Sequence, residues 1–276
     1  MGQNAFDIFI LGAGPGGVSA ALTARNRGRS VAVLSSDPAG TPLAKAHRID
    51  NYPGLPGMSG TELLAAMGDN LKAQDIPVIT ARATGVMPFG KKLMVSAGQD
   101  VYEAKTLILA VGAQQTAKPY PGEAELLGKG VSYCATCDGM LYRGRSVAVL
   151  GLGSEGEADA AFLEQIGCKV LYFTGAQAKN IEIRGTDKVT SLVSGGAEYP
   201  VDGVFILRDT VAASALLPGL AMEGGHITVG ADMETNLPGV FAAGDCTGRP
   251  YQIARAVGQG NIAALAADRY IKELEA

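Results

Sequence analysis

The sequence predicts an α/β fold with two dinucleotide-type βαβ units in one chain. Two observations predict it. Gly12-Ala13-Gly14-Pro15-Gly16-Gly17 stands between an apolar, β-prone run and a helical run, and Gly151-Leu152-Gly153-Ser154-Glu155-Gly156 stands in the same setting. A third observation marks the chemistry: Cys134-Ala135-Thr136-Cys137-Asp138-Gly139 lies just before the second unit.

The elements follow in order. Phe6 to Leu11 is a buried strand, followed by a helix over Val18 to Arg27 and a strand over Ser30 to Leu34. Within the turn, Gly12 permits a tight bend, Gly14 lets a pyrophosphate approach the backbone, and Gly17 lets helix and strand pack closely. The helix N-terminus then faces the phosphates. The second strand ends Leu34-Ser35-Ser36-Asp37, leaving Ser35, Ser36 or Asp37 to hold a ribose. The motif is common to FAD and the nicotinamide dinucleotides. Residues 38–60 form a long loop with His47, Arg48 and Asn51-Tyr52-Pro53-Gly54, and so long a loop in a compact domain covers something. A helix over Thr61 to Gln74 takes Thr61 as its N-cap. Ile76 to Thr80, Lys92 to Ser96 and Val101 to Glu103 are short strands, and Leu107 to Val111 is a buried strand ending at Gly112. Residues 113–130 cross into a second domain.

That domain has a strand over Ser146 to Leu150, the second glycine turn, a helix over Glu157 to Ile166 and a strand over Val170 to Phe173. Thr174-Gly175-Ala176-Gln177-Ala178 then offers neither an arginine for a 2′-phosphate nor an acid for a 2′-hydroxyl. Glu155 and Glu157 suit a helix dipole but would repel a pyrophosphate. This unit reads as a fold kept for packing, without a nucleotide. Further short strands fill 181–207, the most apolar being Val204 to Leu207, with Arg208-Asp209 after it. Leu237 to Cys246 is a strand ending in Gly244-Asp245, which offers a backbone N–H and a carboxylate to a polyol. Gly258 to Tyr270 is a closing helix.

Cys134 and Cys137 can close to a disulfide or open to a dithiol, a two-electron unit whose thiolate is the reactive form. A four-sulfur zinc site needs a second pair. Cys168 and Cys246 stand alone and read as small core residues, and His47 and His226 form no ligand motif. Redox chemistry is therefore favoured over metal. The chain has 276 residues, 47% hydrophobic and 18% charged, enough for two domains with real cores. A net charge of −4 gives no sign of nucleic acid. Ile8 to Ala24 is uncharged, but four glycines and a proline interrupt it, so it is neither a leader nor a membrane span. Four cysteines in such a chain fit a reducing compartment, and a cytoplasmic location is expected.

GAGPGG (12–17), NYPG (51–54), LILAVGA (107–113), CATCDG (134–139), the second GxGxxG and GVFAAGDC (239–246) together resemble the low-molecular-weight thioredoxin reductases. The resemblance covers nearly the whole chain. It implies two Rossmann-like domains of the three-layer ββα type, the second inserted into the first. Residues 1–112 and 232–276 would bind FAD, and residues 113–231 would carry the CxxC. By position, Gly12, Gly14 and Gly17 would contact the FAD pyrophosphate, Asn51 the flavin region and Asp245 the ribityl-phosphate part. Gln252 would lie near the isoalloxazine, with Pro15, Ser35, Gly112 and Gly244 completing the set. Cys137 matches the flavin-facing sulfur, Cys134 the sulfur that attacks thioredoxin, and Asp138 the general acid.

The departures carry information. The family's HRRxxxR is missing, its GGGxSA has become residues 151–156, and Ile206-Leu207-Arg208-Asp209 replaces its Ala-Ile-Gly-x-x-Pro turn. The inserted domain is short, and Tyr251-Gln252 replaces Arg-Gln. This pattern looks like the ferredoxin-linked flavin thioredoxin reductases. It implies FAD as cofactor, thioredoxin and ferredoxin as partners, and a homodimer. An acidic ferredoxin needs a basic patch; Lys45/Arg48, Lys91/Lys92 and Arg143/Arg145 are the candidates. The alternatives are an NAD(P)H-dependent reductase with an atypical site, a dithiol oxidase, and a non-catalytic flavin redox sensor.

Overall fold

The computed structural model describes residues 4–36, 41, 43–112, 120–133, 135–153, 156–208 and 213–276, with Thr136 and Cys137 described in their backbone only. The chain divides into two compact units, residues 1–115 with 212–276, and residues 116–211. The first unit opens with β1 (Ala5–Leu11), α1 (Pro15–Asn26), β2 (Val31–Ser35), α2 (Gly60–Ala73), β3 (Val78–Thr80), β4 (Ala83–Phe89), β5 (Lys92–Ala97) and β6 (Asp100–Leu109). The second unit contains β7 (Val131–Ser132), α3 (Ala135–Asp138), a 3₁₀ turn (Gly139–Tyr142), β8 (Ser146–Gly151), α4 (Gly156–Gln165) and β9 (Lys169–Thr174). It ends with β10 (Glu182–Gly185), β11 (Val189–Ser194), β12 (Ala197–Pro200) and β13 (Gly203–Leu207). The chain returns to the first unit through α5 (Ala213–Leu216), β14 (Met222–Glu223), β15 (His226–Ile227), β16 (Val240–Ala242), a 3₁₀ turn (Asp245–Thr247) and α6 (Ile253–Glu275).

In the first unit β6 is the trunk of a seven-stranded sheet. One edge of β6 pairs in parallel with β1, from Ala5↔Glu103 to Leu11↔Leu109. The other edge is shared: Asp100 to Ala104 pairs antiparallel with β5, and Leu107 to Leu109 pairs parallel with β16. The two strands expected at 101–103 and 107–111 are thus one. The polar Lys105-Thr106 step that separates them in the sequence is satisfied inside the strand. Lys105 Nζ pairs with Asp7 (2.8 Å) and Glu275 (2.6 Å), and buried Thr106 donates to the Asp7 carbonyl. The edge strand β4 carries Gly85 and Pro88 and gave no strand signal.

Helices α1 and α6 lie against each other over Ile8, Ile10, Val33 and Ile108. Their approach is set by small residues, with Ala20, Ala24, Ala263, Ala264 and Ala267 all buried. A Cβ on Gly260 would lie 2.0 Å from the Gly16 carbonyl oxygen. Gly258 and Gly260 weaken the helical signal, which is why the sequence suggests only Gly258 to Tyr270 for this 23-residue helix. Helix α2 is capped by Ser59, not Thr61. Ser59 Oγ accepts the Glu62 N–H, and Glu62 Oε2 accepts the Ser59 N–H at 2.7 Å, a reciprocal capping box. Residues 212–231, assigned above to the inserted domain, group with the first unit; α5 packs on β4, and β15 packs on the Asp245–Thr247 turn.

The second unit has three layers. Its parallel sheet runs β7-β13-β8-β9, and β10-β11-β12 form an antiparallel meander. Ala148, Leu150, Val204 and Ile206 face one core with the meander residues Ile183 and Leu192. Val147, Val149, Phe205 and Leu207 face the other with Leu163 of α4. Burial on both faces explains why these strands read as unbroken apolar runs.

Asp268 on α6 ties that helix to the connection between α1 and β2. It is 5% exposed, and it accepts from Arg29 Nε at 2.7 Å and Lys272 Nζ at 2.8 Å. Burial pushes its carboxyl up, but the hydrogen bonds from Lys272 and Arg29 outweigh this and hold it below the usual range. Its contribution is complete above the unfolded-state value of about 4 and is lost as pH falls through the lower folded value. D268N is expected to cost about 2 kcal/mol in urea unfolding at pH 7. The difference from the unsubstituted protein should shrink below about pH 4.

Candidate functional site

The first glycine turn joins β1 to α1, and its glycines differ physically. Gly12 has φ 110°, and a Cβ there would lie 2.2 Å from the Ala110 carbonyl oxygen. A Cβ on Gly17 would lie 1.8 Å from the Gly12 carbonyl oxygen. Both are demanded by the chain's own packing. Gly14 is not: its φ is an ordinary −77°, and nothing lies within 4 Å of where its Cβ would stand. Open space therefore lies at the start of α1, where Pro15 opens the helix, no side chain caps it and no acid occupies the first turn. Its first N–H groups have no intrahelical partner, which suits an anion.

A pocket of about 340 Å³ lies beside this turn. Ala13, Ser35, Ser36 and Thr80 line it, with Leu64 and Leu71 of α2. Ser35 and Ser36, two of the expected ribose holders, thus line this pocket; Asp37 lies outside the described residues. Gly112 follows β6 with φ 73° and open space around it.

β16 delivers Gly244 and Asp245 to the same end of the sheet. The Gly244 N–H donates to Gln259 Oε1 at 2.9 Å, and Thr247 Oγ1 donates to the same oxygen at 3.1 Å. Arg255 donates to the Gly248 carbonyl at 2.6 Å and to Thr247 Oγ1 at 3.0 Å. Sequence reasoning missed Arg255 and Gln259. Their i,i+4 spacing just after Gln252 was the available signal. The half-buried Asp245 carboxylate accepts no hydrogen bond from the described residues, and burial pushes its pKa up against the opposing charge of Arg255. Asn51 Nδ2 donates to Gln252 Oε1 at 2.8 Å, so two expected site residues meet across 201 positions. An uncapped helix start, an open Gly14, a hydroxyl-lined pocket and an unpartnered carboxylate fit a dinucleotide such as FAD.

In the second unit, Cys134 and the Cys137 side chain lie outside the described residues. Asp138 ends α3, and its Oδ2 accepts from Ser132 Oγ at 2.6 Å. Ser132 is buried on β7, so the carboxyl is fixed from the other side of the cysteine pair. Tyr133 precedes the pair, and its hydroxyl donates to Glu123 Oε1 at 3.0 Å. Arg208, after β13, forks onto the same carboxylate at 2.7 and 2.9 Å. Burial pushes the Glu123 carboxyl up, but Arg208 holds it below the usual range. Burial and then the Glu123 charge push the Tyr133 phenol well up. Glu123 belongs to no motif, and the sequence left Arg208 without a partner.

In the second glycine turn, Tyr172 packs against Gly151 and Gly156, the counterparts of Gly12 and Gly17. A Cβ on Gly151 would lie 2.1 Å from Tyr172 Oη; one on Gly156 would lie 2.7 Å from Gly151 Cα and 3.2 Å from that hydroxyl. Ser154 and Glu155 lie outside the described residues, and Glu157 is exposed in the first turn of α4. Cys168 and Cys246 are buried, and burial pushes the Cys246 thiol up to about 12. Among the described residues, no helix is long and apolar enough to cross a membrane.

Residues 6–178 and 172–260 match the family described as pyridine nucleotide-disulphide oxidoreductase. A thioredoxin reductase of Aquifex aeolicus is 33% identical over 98% of this chain and 94% of its own length. The crystal structure of a ferredoxin-flavin thioredoxin reductase from Clostridium acetobutylicum superimposes with a TM-score of 0.85 at 41% identity, covering 99% of each chain. A thioredoxin reductase from Gloeobacter violaceus gives 0.80 at 32% identity, over 99% of this chain and 96% of its own.

The glycines give a paired test. G14A should leave the urea midpoint of the apoprotein unchanged and weaken FAD binding at least tenfold by fluorescence titration. G17A should lower the midpoint itself, because its Cβ meets backbone.

Proposed function

The chain belongs to the pyridine nucleotide-disulphide oxidoreductase family and, within it, to the low-molecular-weight thioredoxin reductases, and from that premise we propose how its residues divide the work. It is an FAD-dependent thioredoxin-disulfide reductase of the ferredoxin-linked type. The open space at Gly14, at the uncapped start of α1, carries this reading. FAD is assigned to the first unit and the redox cysteines to the second.

FAD would be held by the Gly12, Gly14 and Gly17 turn with Pro15, by Ser35 and Gly112, and by Gly244 and Asp245, with Asn51 and Gln252 toward the flavin. When bound, it supplies a centre that takes electrons singly and passes on a pair. Cys137 is assigned as the sulfur that would take electrons from the bound flavin. In the reduced dithiol, the Cys134 thiolate attacks one sulfur of the thioredoxin disulfide, forming a mixed disulfide and expelling the other thioredoxin thiolate. The Cys137 thiolate then attacks Cys134 Sγ, closing the 134–137 disulfide and releasing reduced thioredoxin. Two electrons and two protons reach thioredoxin in each cycle. Asp138, held by Ser132, moves the proton. A ferredoxin near about −400 mV and a thioredoxin near about −270 mV differ by about 130 mV, or ~6 kcal/mol for two electrons. The location proposed is the cytoplasm and the assembly a homodimer.

The test is anaerobic mixing of the FAD-loaded protein with reduced ferredoxin, NADPH or NADH, followed by the flavin absorbance. Bleaching by ferredoxin alone, then reduction of added thioredoxin, is expected. Rapid bleaching by either nucleotide would overturn the donor assignment, and peroxide formation with a small dithiol would favour an oxidase. D138N should slow thioredoxin reduction about a hundredfold while leaving flavin bleaching by ferredoxin unchanged.

A further inference from the structure

The first unit presents an exposed basic surface at the end where the flavin residues gather. Asn51 is bonded to Gln252, so the loop carrying Lys45, His47 and Arg48 is tied to the loop carrying Arg249 and Tyr251. Lys45, His47, Arg48, Arg249 and Tyr251 are all exposed. Arg48 pairs with exposed Asp50 at 2.9 Å. Lys45 and Arg249 have no carboxylate partner among the described residues; the Arg249 guanidinium rests 4.9 Å from the centre of the Tyr251 ring. Tyr251 Oη in turn meets His226 Nε2 at 2.7 Å, which steadies the aromatic platform. In a chain of net charge −4, this surface has the opposite sign.

The other basic pairs are placed differently. Lys92 is bonded to Glu103, and Lys91 reaches the Leu274 carbonyl at the C-terminal end of α6. Gln252 is the N-cap of the same helix. Its 23 residues put about 35 Å between the two ends, too far for an electron carrier docked at Lys91 to reach a flavin near Gln252. Arg143 and Arg145 belong to the second unit, just before β8 and at the opposite end of that strand from Gly151.

We propose that Lys45, Arg48 and Arg249, with the Tyr251 ring, form the docking surface for an acidic one-electron carrier protein. This inference rests on the ferredoxin-type donor proposed above. Exposed charges act mainly by steering encounter, so their signature is an on-rate that falls with salt. Unpaired charges at the rim contribute to this more than Arg48, which is already neighboured by Asp50.

The test is anaerobic stopped-flow reduction of the FAD-loaded protein by reduced ferredoxin at low and high ionic strength. K45E and R249E should each lower the second-order rate constant three- to tenfold at low salt, and the double variant should flatten the salt dependence. K91E and the R143E/R145E pair should behave like the unsubstituted protein. Reduction by dithionite should be the same in all of them, which shows that the flavin site is intact. Equal rates for K45E, R249E and the unsubstituted protein would overturn the docking surface alone. A failure of ferredoxin to reduce the unsubstituted protein, with dithionite still effective, would overturn the donor assignment and this inference with it.

Discussion

Three approaches of backbone to backbone hold the first unit in shape. Gly12 lies against Ala110, Gly17 against the Gly12 carbonyl, and Gly260 against the Gly16 carbonyl. Each excludes a Cβ, and each joins a different pair of elements: β1 to the end of β6, α1 to its own entry turn, and α6 to α1. Together they fix the start of α1 relative to the strand ends. Phosphate binding depends on that placement, because the orphan N–H groups of a helix start are useful only when the backbone can come close to the ligand. The shared edge of β6 completes the arrangement by bringing β16, and with it Asp245, to the same end of the sheet.

Within a glycine turn, one motif serves two purposes. Gly151 and Gly156 pack against Tyr172 and each other. They satisfy the pattern for a reason internal to the domain, and a βαβ unit keeps its glycines whenever strand and helix pack this closely. Gly14 has no such internal reason, and that makes it informative. A glycine explained by the chain's own packing says nothing of a ligand, whereas one standing in open space at an uncapped helix start does. Fold and site separate at this point.

The redox segment is fixed on both flanks by polar contacts. Ser132 holds Asp138, and Glu123 with Arg208 holds Tyr133. A buried ion pair adds little net stability, because desolvation consumes most of its Coulombic gain. Its consequence is geometric. The forked guanidinium leaves the Glu123 carboxylate one orientation, and that carboxylate bonds both the Tyr120 N–H and the Tyr133 hydroxyl. The residue before Cys134 is thereby anchored to the opening segment of its own domain.

Much of this was legible in the sequence because its signals were local. Strand, glycine turn, helix and strand are read from neighbouring residues, and both units formed where that pattern lay. Asn51 and Gln252 were named separately from a family resemblance, and their meeting across 201 positions was not predictable from either segment. What stayed hidden depended on compensation at a distance. Lys105 breaks an apolar run until Asp7 and Glu275 neutralise it, Gly260 weakens a helix until Gly16 requires it, and Arg208 lacks a partner until Glu123 is folded against it. In each case the residue looks unfavourable locally and is satisfied by a residue distant in sequence. Tertiary contact overrides local propensity at these positions, and they are also where the sheet and helices of the first unit are joined and where the redox segment is anchored.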